Sequence, residues 1–290
     1  MKRLIILLQV SLVFNGAYVF ADEKTNEAEN KHQAVMSSLP ENVKLIIGYG
    51  KTQNYYIRGR AIHQLPKNLP QDQIDAFYKF LYDRLEKQEL KDLEFNGLKN
   101  ELVLALMAQD AKPEALAGHL VNMYNDKTFD PTWRDYCVQF FGKWYEKAPH
   151  NESRKQMLES LFEATGEVEG TIGGTAVTML RHMVHLPEVD KEKVSALSFK
   201  VLSDPRCSES SKIATLQVCA ELRNRDALPV ARKLAQNNEG SRILRMSAIA
   251  AVGFLGDKTD IAWLEPLSKS SDIRLRSPAQ GAIKRIGAKK

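Results

Sequence analysis

Apolar residues along this chain recur at helical spacing. Ile74, Phe77, Leu81 and Leu85 follow Pro70 at intervals of three or four, which places them on one face of a helix. Leu102, Leu104, Leu106 and Met107 mark a second helix, and Pro113 is suited to open a third that carries Leu116, Leu120 and Met123. Asp130-Pro131-Thr132 predicts a helix entry, with Asp130 as the cap and Pro131 in the first turn. Behind it, Trp133, Cys137, Phe140, Phe141 and Trp144 form a heavy apolar stripe. Helices are also predicted over 151–164, 171–185 and 190–202, with Ala148-Pro149, Gly166 and Asp204-Pro205 as breaks between them. Strand alternation is nearly absent. Lys44-Leu45-Ile46-Ile47-Gly48-Tyr49 is the one short β-like run, and it equally suits the opening of a helix. The pattern predicts an all-α chain of antiparallel helix pairs.

The pattern also repeats. The segment from Lys212 to Leu222 returns 33 positions later as Arg245 to Leu255, and 31 positions after that as Arg276 to Ile286. Superimposed, Thr215, Ala248 and Ala279 coincide, as do Val218, Ala251 and Ala282. So do Cys219, Val252 and Ile283, and then Leu222, Leu255 and Ile286. Within each copy these sit at i, i+3, i+4 and i+7, one face of a helix. The first position is small and admits a neighbouring helix closely; the last is large and fills the space beyond. A second stripe follows at Leu228, Ala231 and Leu234, and again at Ile261, Leu264 and Leu267. Each repeat is therefore a helix pair, turning at 223–227 and 256–260. Gly256 stands where a helix end commonly takes a left-handed residue. Gly287 holds the same place in the third copy, a half-repeat expected to cap the array. Repeats of this period predict an α-solenoid, a superhelix of the HEAT/armadillo-like kind. Val218, Leu222, Ala251, Val252, Leu255, Ala282, Ile283 and Ile286 are its expected packing residues.

Arg245-x-x-Ala248-x-x-Ala251-Val252-Gly253-x-Leu255-Gly256-Asp257 resembles the HEAT-like repeat of the phycobilisome-lyase type. Leu264-x-Pro266-Leu267 and Asp272-Ile273-Arg274-Leu275-Arg276-x-x-Ala279 continue the resemblance, which is clear over 210–288. The Lys212 copy departs from it, with Arg223-Asn224 where Gly-Asp is usual. Upstream, over 41–209, the repeats are degenerate; Tyr56-Ile57-Arg58-x-x-Ala61-Ile62-x-x-Leu65-Pro66 resembles one such copy. The resemblance implies that Arg245, Asp257, Asp272 and Arg276 join adjacent repeats rather than bind a ligand.

Met1 to Ala21 has the form of a secretory signal peptide: Lys2 and Arg3, an apolar run from Leu4 to Phe14, and Val19-Phe20-Ala21 before Asp22. An exported protein, periplasmic or secreted, is the expectation, with no membrane span after signal removal. An uncleaved anchor is the alternative. Residues 22–40, rich in Glu, Asn, Lys and Ser, are expected to be a flexible entry segment. The cysteines are Cys137, Cys207 and Cys219, an odd count that forbids full pairing within the chain. Cys137 and Cys219 fit apolar helical patterns; Cys207 and Cys219 are close enough in sequence that a bridge between them stays open.

Charge is uneven. From Lys212 onward there are 15 Lys or Arg against 7 Asp or Glu, a net of +8, whereas 22–211 carry a net of −5. Such an end suits an acidic partner, nucleic acid or a membrane surface, or is a set of solvated helix faces. Arg242, Arg274, Lys284 and Arg285 are the expected partner contacts.

Catalytic signatures are wanting. His182 and His185 share a helix face, but Glu188 is the one carboxylate immediately beside them, and a zinc site needs more ligands. Iron-dependent HEAT-like hydroxylases use His-Glu dipeptides, and the sequence contains none. Gly170-Thr171-Ile172-Gly173-Gly174-Thr175 opens a helix without the lysine of a P-loop, so close helix contact is the expected reason for its glycines. Trp144 and Tyr145 are adjacent and cannot share one helix face, so one of them is expected to reach a groove wall. Asn151-Glu152-Ser153 is a glycosylation sequon, relevant in a eukaryotic secretory pathway.

The expectation is a non-catalytic, exported scaffold or adaptor that needs no cofactor or metal. It would hold a protein or peptide, rather than nucleic acid, on a concave face. Two alternatives stand beside it: an enzyme of the lyase type on a HEAT-like scaffold, and polyanion binding through the basic C-terminal repeats.

Overall fold

The computed structural model describes residues 37–48, 54–84 and 92–288, and among them the regular structure is entirely helical. The leader, the entry segment up to residue 36, Tyr49 and Leu85 lie outside the described residues. Two compact units divide the chain after Ala111.

The first unit contains α1 (Glu41–Ile47), α2 (Tyr55–Ile62), α3 (Gln71–Tyr82) and α4 (Asp92–Met107). Here the β-like run of the sequence is helix: Lys44 to Ile47 form the end of α1, and Gly48 at φ 76° stops it. Along the chain α1 pairs with α2 and α3 with α4, and alternate helices (α1 with α3, α2 with α4) also touch. The core between them is built from Val43, Ile46, Phe77, Leu81, Leu102 and Leu106, all buried. The apolar face read after Pro70 is thus the buried face of α3.

The second unit runs through α5 (Leu116–Asn125), α6 (Pro131–Trp144), α7 (Glu152–Ala164), α8 (Ile172–His182), α9 (Lys191–Ser203), α10 (Glu209–Glu221), α11 (Leu228–Gln236), α12 (Arg242–Leu255), α13 (Ile261–Ser268) and α14 (Ile273–Gly287). Its plan is that of a solenoid. Helices α5 to α10 each pack on the next, as do α11 on α12 and α13 on α14, and α6, α8, α10, α12 and α14 also lie side by side in that order as one layer. Two short 3-10 turns, Arg225–Ala227 and Lys258–Asp260, make the corners inside the last two hairpins.

Local signals explain most boundaries. Asp130 accepts hydrogen bonds from the Thr132 and Trp133 amides, with Pro131 in the first turn. Asn151, Asp190, Ser208, Ser241 and Asp272 cap α7, α9, α10, α12 and α14 in the same way. Pro113 does not open a helix: the chain turns first, and α5 begins at Leu116, whose amide donates to the Pro113 carbonyl at 3.3 Å. Likewise α8 stops at His182, three residues short of the predicted end, and turns through Met183.

Gly256 also differs from its expected role. Its backbone is extended, at φ −71° and ψ −178°. A Cβ there would lie 2.7 Å from the Val252 carbonyl and would strike the Asp260 carboxylate, so the residue is small because the corner is crowded. The left-handed residue is Arg223 at the equivalent place one repeat earlier, with φ 59°.

Candidate functional site

The repeat stripe lies where helix meets helix. Val218, Ala251, Val252, Leu255, Ala282 and Ile286 are buried; Ile283 is partly buried against the cluster of the last two copies, and Leu222 against a separate one that holds Val218, Val177 and Val201. Gly253 lets α12 and α14 approach so closely that a Cβ on it would stand 2.6 Å from the Ala282 Cα. In the glycine run before α8, Gly174 has the same function: an added Cβ would stand 2.8 Å from Ser211 Cα, and its amide donates to the Ser211 hydroxyl at 3.1 Å. Gly174 thus marks a close contact between α8 and α10, whereas Gly173 lies against the Glu167 carbonyl of the preceding turn, 2.9 Å from where a Cβ would stand, and Gly170 has open space.

Arginines tie successive helices. Arg245 Nε donates to the Ala235 carbonyl at 2.8 Å, closing the end of α11 from the first turn of α12. Arg134 does this for Tyr124 at 2.8 Å, Arg154 for Tyr145 at 2.8 Å, and Arg58 for Ile46 at 2.9 Å. Arg276 Nη1 reaches the Ser270 carbonyl at 3.1 Å. Asp257 and Asp272 are equally engaged: Asp257 caps its 3-10 turn and pairs with Arg232 at 3.1 Å, and Asp272 caps α14 and pairs with Arg242 at 3.3 Å. Two hubs were not visible in the sequence. Asp260, 2% exposed, accepts two hydrogen bonds from Arg232 at 2.8 Å and one from Trp263 Nε1 at 3.1 Å. Burial alone would raise its pKa, but the hydrogen bonds from Arg232, the Asp257 amide and Trp263 outweigh it and hold it below the usual range. Glu167 joins α5, α6 and the α7–α8 turn. Its Oε1 accepts from Tyr124 at 2.8 Å, Lys127 at 2.7 Å and Arg134 at 2.6 Å. Burial opposes its ionisation, yet these donors keep its pKa lowered. A hollow of about 500 Å³ opens here, lined by Arg134, Glu167, Glu169, Gly170 and Arg206 among others. Its charges are mutually paired: Arg134 with Glu167, and Arg206 with Asp204 at 2.8 Å and Glu169 at 3.9 Å.

The four basic residues expected to meet a partner are exposed but not gathered. Arg242 pairs with Asp272, and Arg274 lies beside it at the start of α14. Lys284 and Arg285 are ten residues further along the helix, about 15 Å away by the rise of 1.5 Å per residue. Arg285 rests on the Phe254 ring at 4.4 Å.

A second groove, of about 330 Å³, lies across α6, α8 and α10. Asp135 and Gln139 line it from α6, Thr175, Thr178 and Met179 from α8 with Thr171 just before that helix, and Ser210 and Ala214 from α10. Asp135 Oδ2 accepts from Gln139 Nε2 at 3.2 Å; Asp135 Oδ1 is buried with no hydrogen-bond partner. Nothing in the sequence singled out this groove, because its residues come from three different repeats.

Other expectations resolve plainly. Cys137, Cys207 and Cys219 are all buried free thiols, so Cys207 and Cys219 are not bridged. Trp144 and Tyr145 are both buried; neither reaches a groove wall, because Tyr145 turns at the helix end under Arg154, 4.0 Å from its ring. His185 pairs with Glu146 at 3.2 Å, and the described residues hold no group of three or more metal-ligating side chains around it or elsewhere. Among the described residues no helix is long and apolar enough to cross a membrane.

Residues 199–284 match the family model for HEAT repeats. No curated protein matches the sequence. Among solved structures, human deoxyhypusine hydroxylase in complex with glycerol is similar at 15% identity and a TM-score of 0.35, over 92% of this chain and 99% of that one. An engineered protein is similar at 15% identity and a TM-score of 0.28, over 86% and 97%. From 199 to 284, where stripe, corner and stacked layer coincide with the family model, the chain carries HEAT-like repeats.

Proposed function

We propose that this protein is an exported, non-catalytic scaffold that holds a protein or peptide partner on the open face of its stacked helices. The observation that carries this is the shared groove: side chains from α6, α8 and α10 line one hollow that the stacking itself does not fill. Recognition spread over successive repeats is how a solenoid obtains a long binding surface. Arg274, Lys284 and Arg285 would add attraction for acidic groups of the partner, and the leader would deliver the protein outside the cytoplasm.

The test is capture of a partner by the full chain, compared with the triple variant Arg274→Glu/Lys284→Glu/Arg285→Glu. The expected result is loss of most capture with an unchanged unfolding temperature; equal capture by both proteins removes the basic helices from the interface. Polyanion binding gives a different signature, an affinity that falls steeply with salt. Export is tested by N-terminal sequencing of the native protein, which is expected to begin at Asp22.

A further inference from the structure

We propose that the groove across α6, α8 and α10 receives a cationic side chain, lysine or arginine, from an extended segment of the partner, with Asp135 as its counter-charge. This rests on the scaffold proposal and specifies the partner's chemistry at one point of the open face. The residues lining the groove are Asp135 and Gln139, Thr171, Thr175, Thr178 and Met179, and Ser210 and Ala214. Asp135 is the one charged residue among them, so the groove favours positive charge and repels a carboxylate or phosphate.

That carboxylate is also under-used. It accepts one side-chain hydrogen bond, from Gln139 at 3.2 Å, and its Oδ1 is buried without a partner. A carboxylate met by one neutral donor gains from a charged one, and an ammonium or guanidinium group would supply both donor and charge. Oδ1 is turned away from solvent, so a cation in the groove would meet the carboxylate at Oδ2, beside the Gln139 hydrogen bond. Around it, the wall suits a long cationic side chain. Met179 and Ala214 offer apolar surface to the methylene stem. The hydroxyls of Thr171, Thr175 and Ser210 can meet the flanking peptide groups, whereas Thr178 returns its own to the Gly174 carbonyl at 2.8 Å. A single carboxylate among hydroxyls is a poor cage for a divalent metal, which collects several oxygen ligands.

The test uses the full chain, isotopically labelled, and three tripeptides: acetyl-Ala-Arg-Ala-amide, its Gln analogue and its Glu analogue. The arginine peptide is expected to shift the amide resonances of Thr175, Thr178 and Ser210. The glutamine peptide should bind about ten-fold more weakly, the worth of one charge-assisted contact, and the glutamate peptide not at all. Asp135→Asn should bring the arginine peptide down to the glutamine level. Equal responses to arginine and glutamine, shifts located elsewhere, or an Asp135→Asn variant that binds as the parent does, would each overturn the proposal. Should Asp135→Asn fail to fold, Thr175→Arg fills the groove with an internal cation and must abolish the response. If the triple variant of the C-terminal helices loses its partner while the arginine peptide has no effect, the scaffold stands and the Asp135 subsite falls. If the peptide binds and no partner is captured, the subsite stands and the scaffold proposal falls.

Discussion

At Gly253 a methyl group would have nowhere to go. In the middle of an ordinary helix, glycine to alanine gains about 0.5–1 kcal/mol; here the added carbon would press on the backbone of Ala282 at 2.6 Å. Gly253→Ala is therefore expected to destabilise the protein, by about 1–3 kcal/mol as in other overpacked contacts, measured by denaturant unfolding. A gain in stability would mean that α12 and α14 are not this close. Asp260 is the second residue on which the stack depends. Its folded pKa and that of Glu167 lie below the ordinary values, so each stabilises the fold fully above the unfolded pKa of about 4. That contribution is lost as the pH falls through the lowered values. Stability is thus expected to drop below pH about 4, and to drop less steeply in Asp260→Asn. The cysteines give a third check. All three are buried, and burial pushes the Cys219 thiol up to about 12. They should react with a thiol reagent only at the rate of unfolding. The small positions of the stripe could be read from the sequence because they recur. Asp260 could not, because what marks it is a bond to Arg232, 28 residues away.

At the scale of the element, the helices themselves were legible and their ends less so. Periodic apolar positions gave α3, α6, α10 and α12 in register, and Asp130 and Asn151 cap where their chemistry predicts. The ends at Pro113 and His182 differ because tertiary packing decides where a helix stops. Gly256 shows the limit of a position rule: at a helix end glycine suggests a left-handed residue, but the constraint was space. The arginine contacts explain why the degenerate upstream copies still pack as hairpins. A helix leaves its last carbonyls unpaired, and Arg58, Arg134, Arg154 and Arg245 each satisfy one from the following helix. The resemblance of Arg58-x-x-Ala61 to Arg245-x-x-Ala248 is thus a shared contact, with both alanines buried. Replacing Arg245 by methionine keeps the apolar stem and removes the donor. It should cost about 1–2 kcal/mol by thermal unfolding, and an unchanged melting temperature would show that the carbonyl is satisfied otherwise.

At the scale of the molecule, the repeat of about 32 residues is what makes the second unit a stack, because each hairpin buries its apolar stripe against the next. This much was legible at a glance in the last three copies and absent to the eye further upstream, where Trp144 and Phe140 replace Leu255 and Ala251 in the same stripe. The candidate binding face was not legible, since the groove exists only when α6, α8 and α10 lie side by side. The linear order of that layer is open to direct measurement by electron spin resonance, with labels on the exposed faces of Lys143 in α6, Gln217 in α10 and Gln280 in α14. Neighbouring helices lie about 8–10 Å apart. The α6–α10 and α10–α14 pairs should therefore each stand near ~20 Å, and the α6–α14 pair should be clearly longer, up to ~40 Å. A chain that folds its last hairpins back onto α6, with the α6–α14 distance no greater than the other two, would contradict the stack on which everything else here is built.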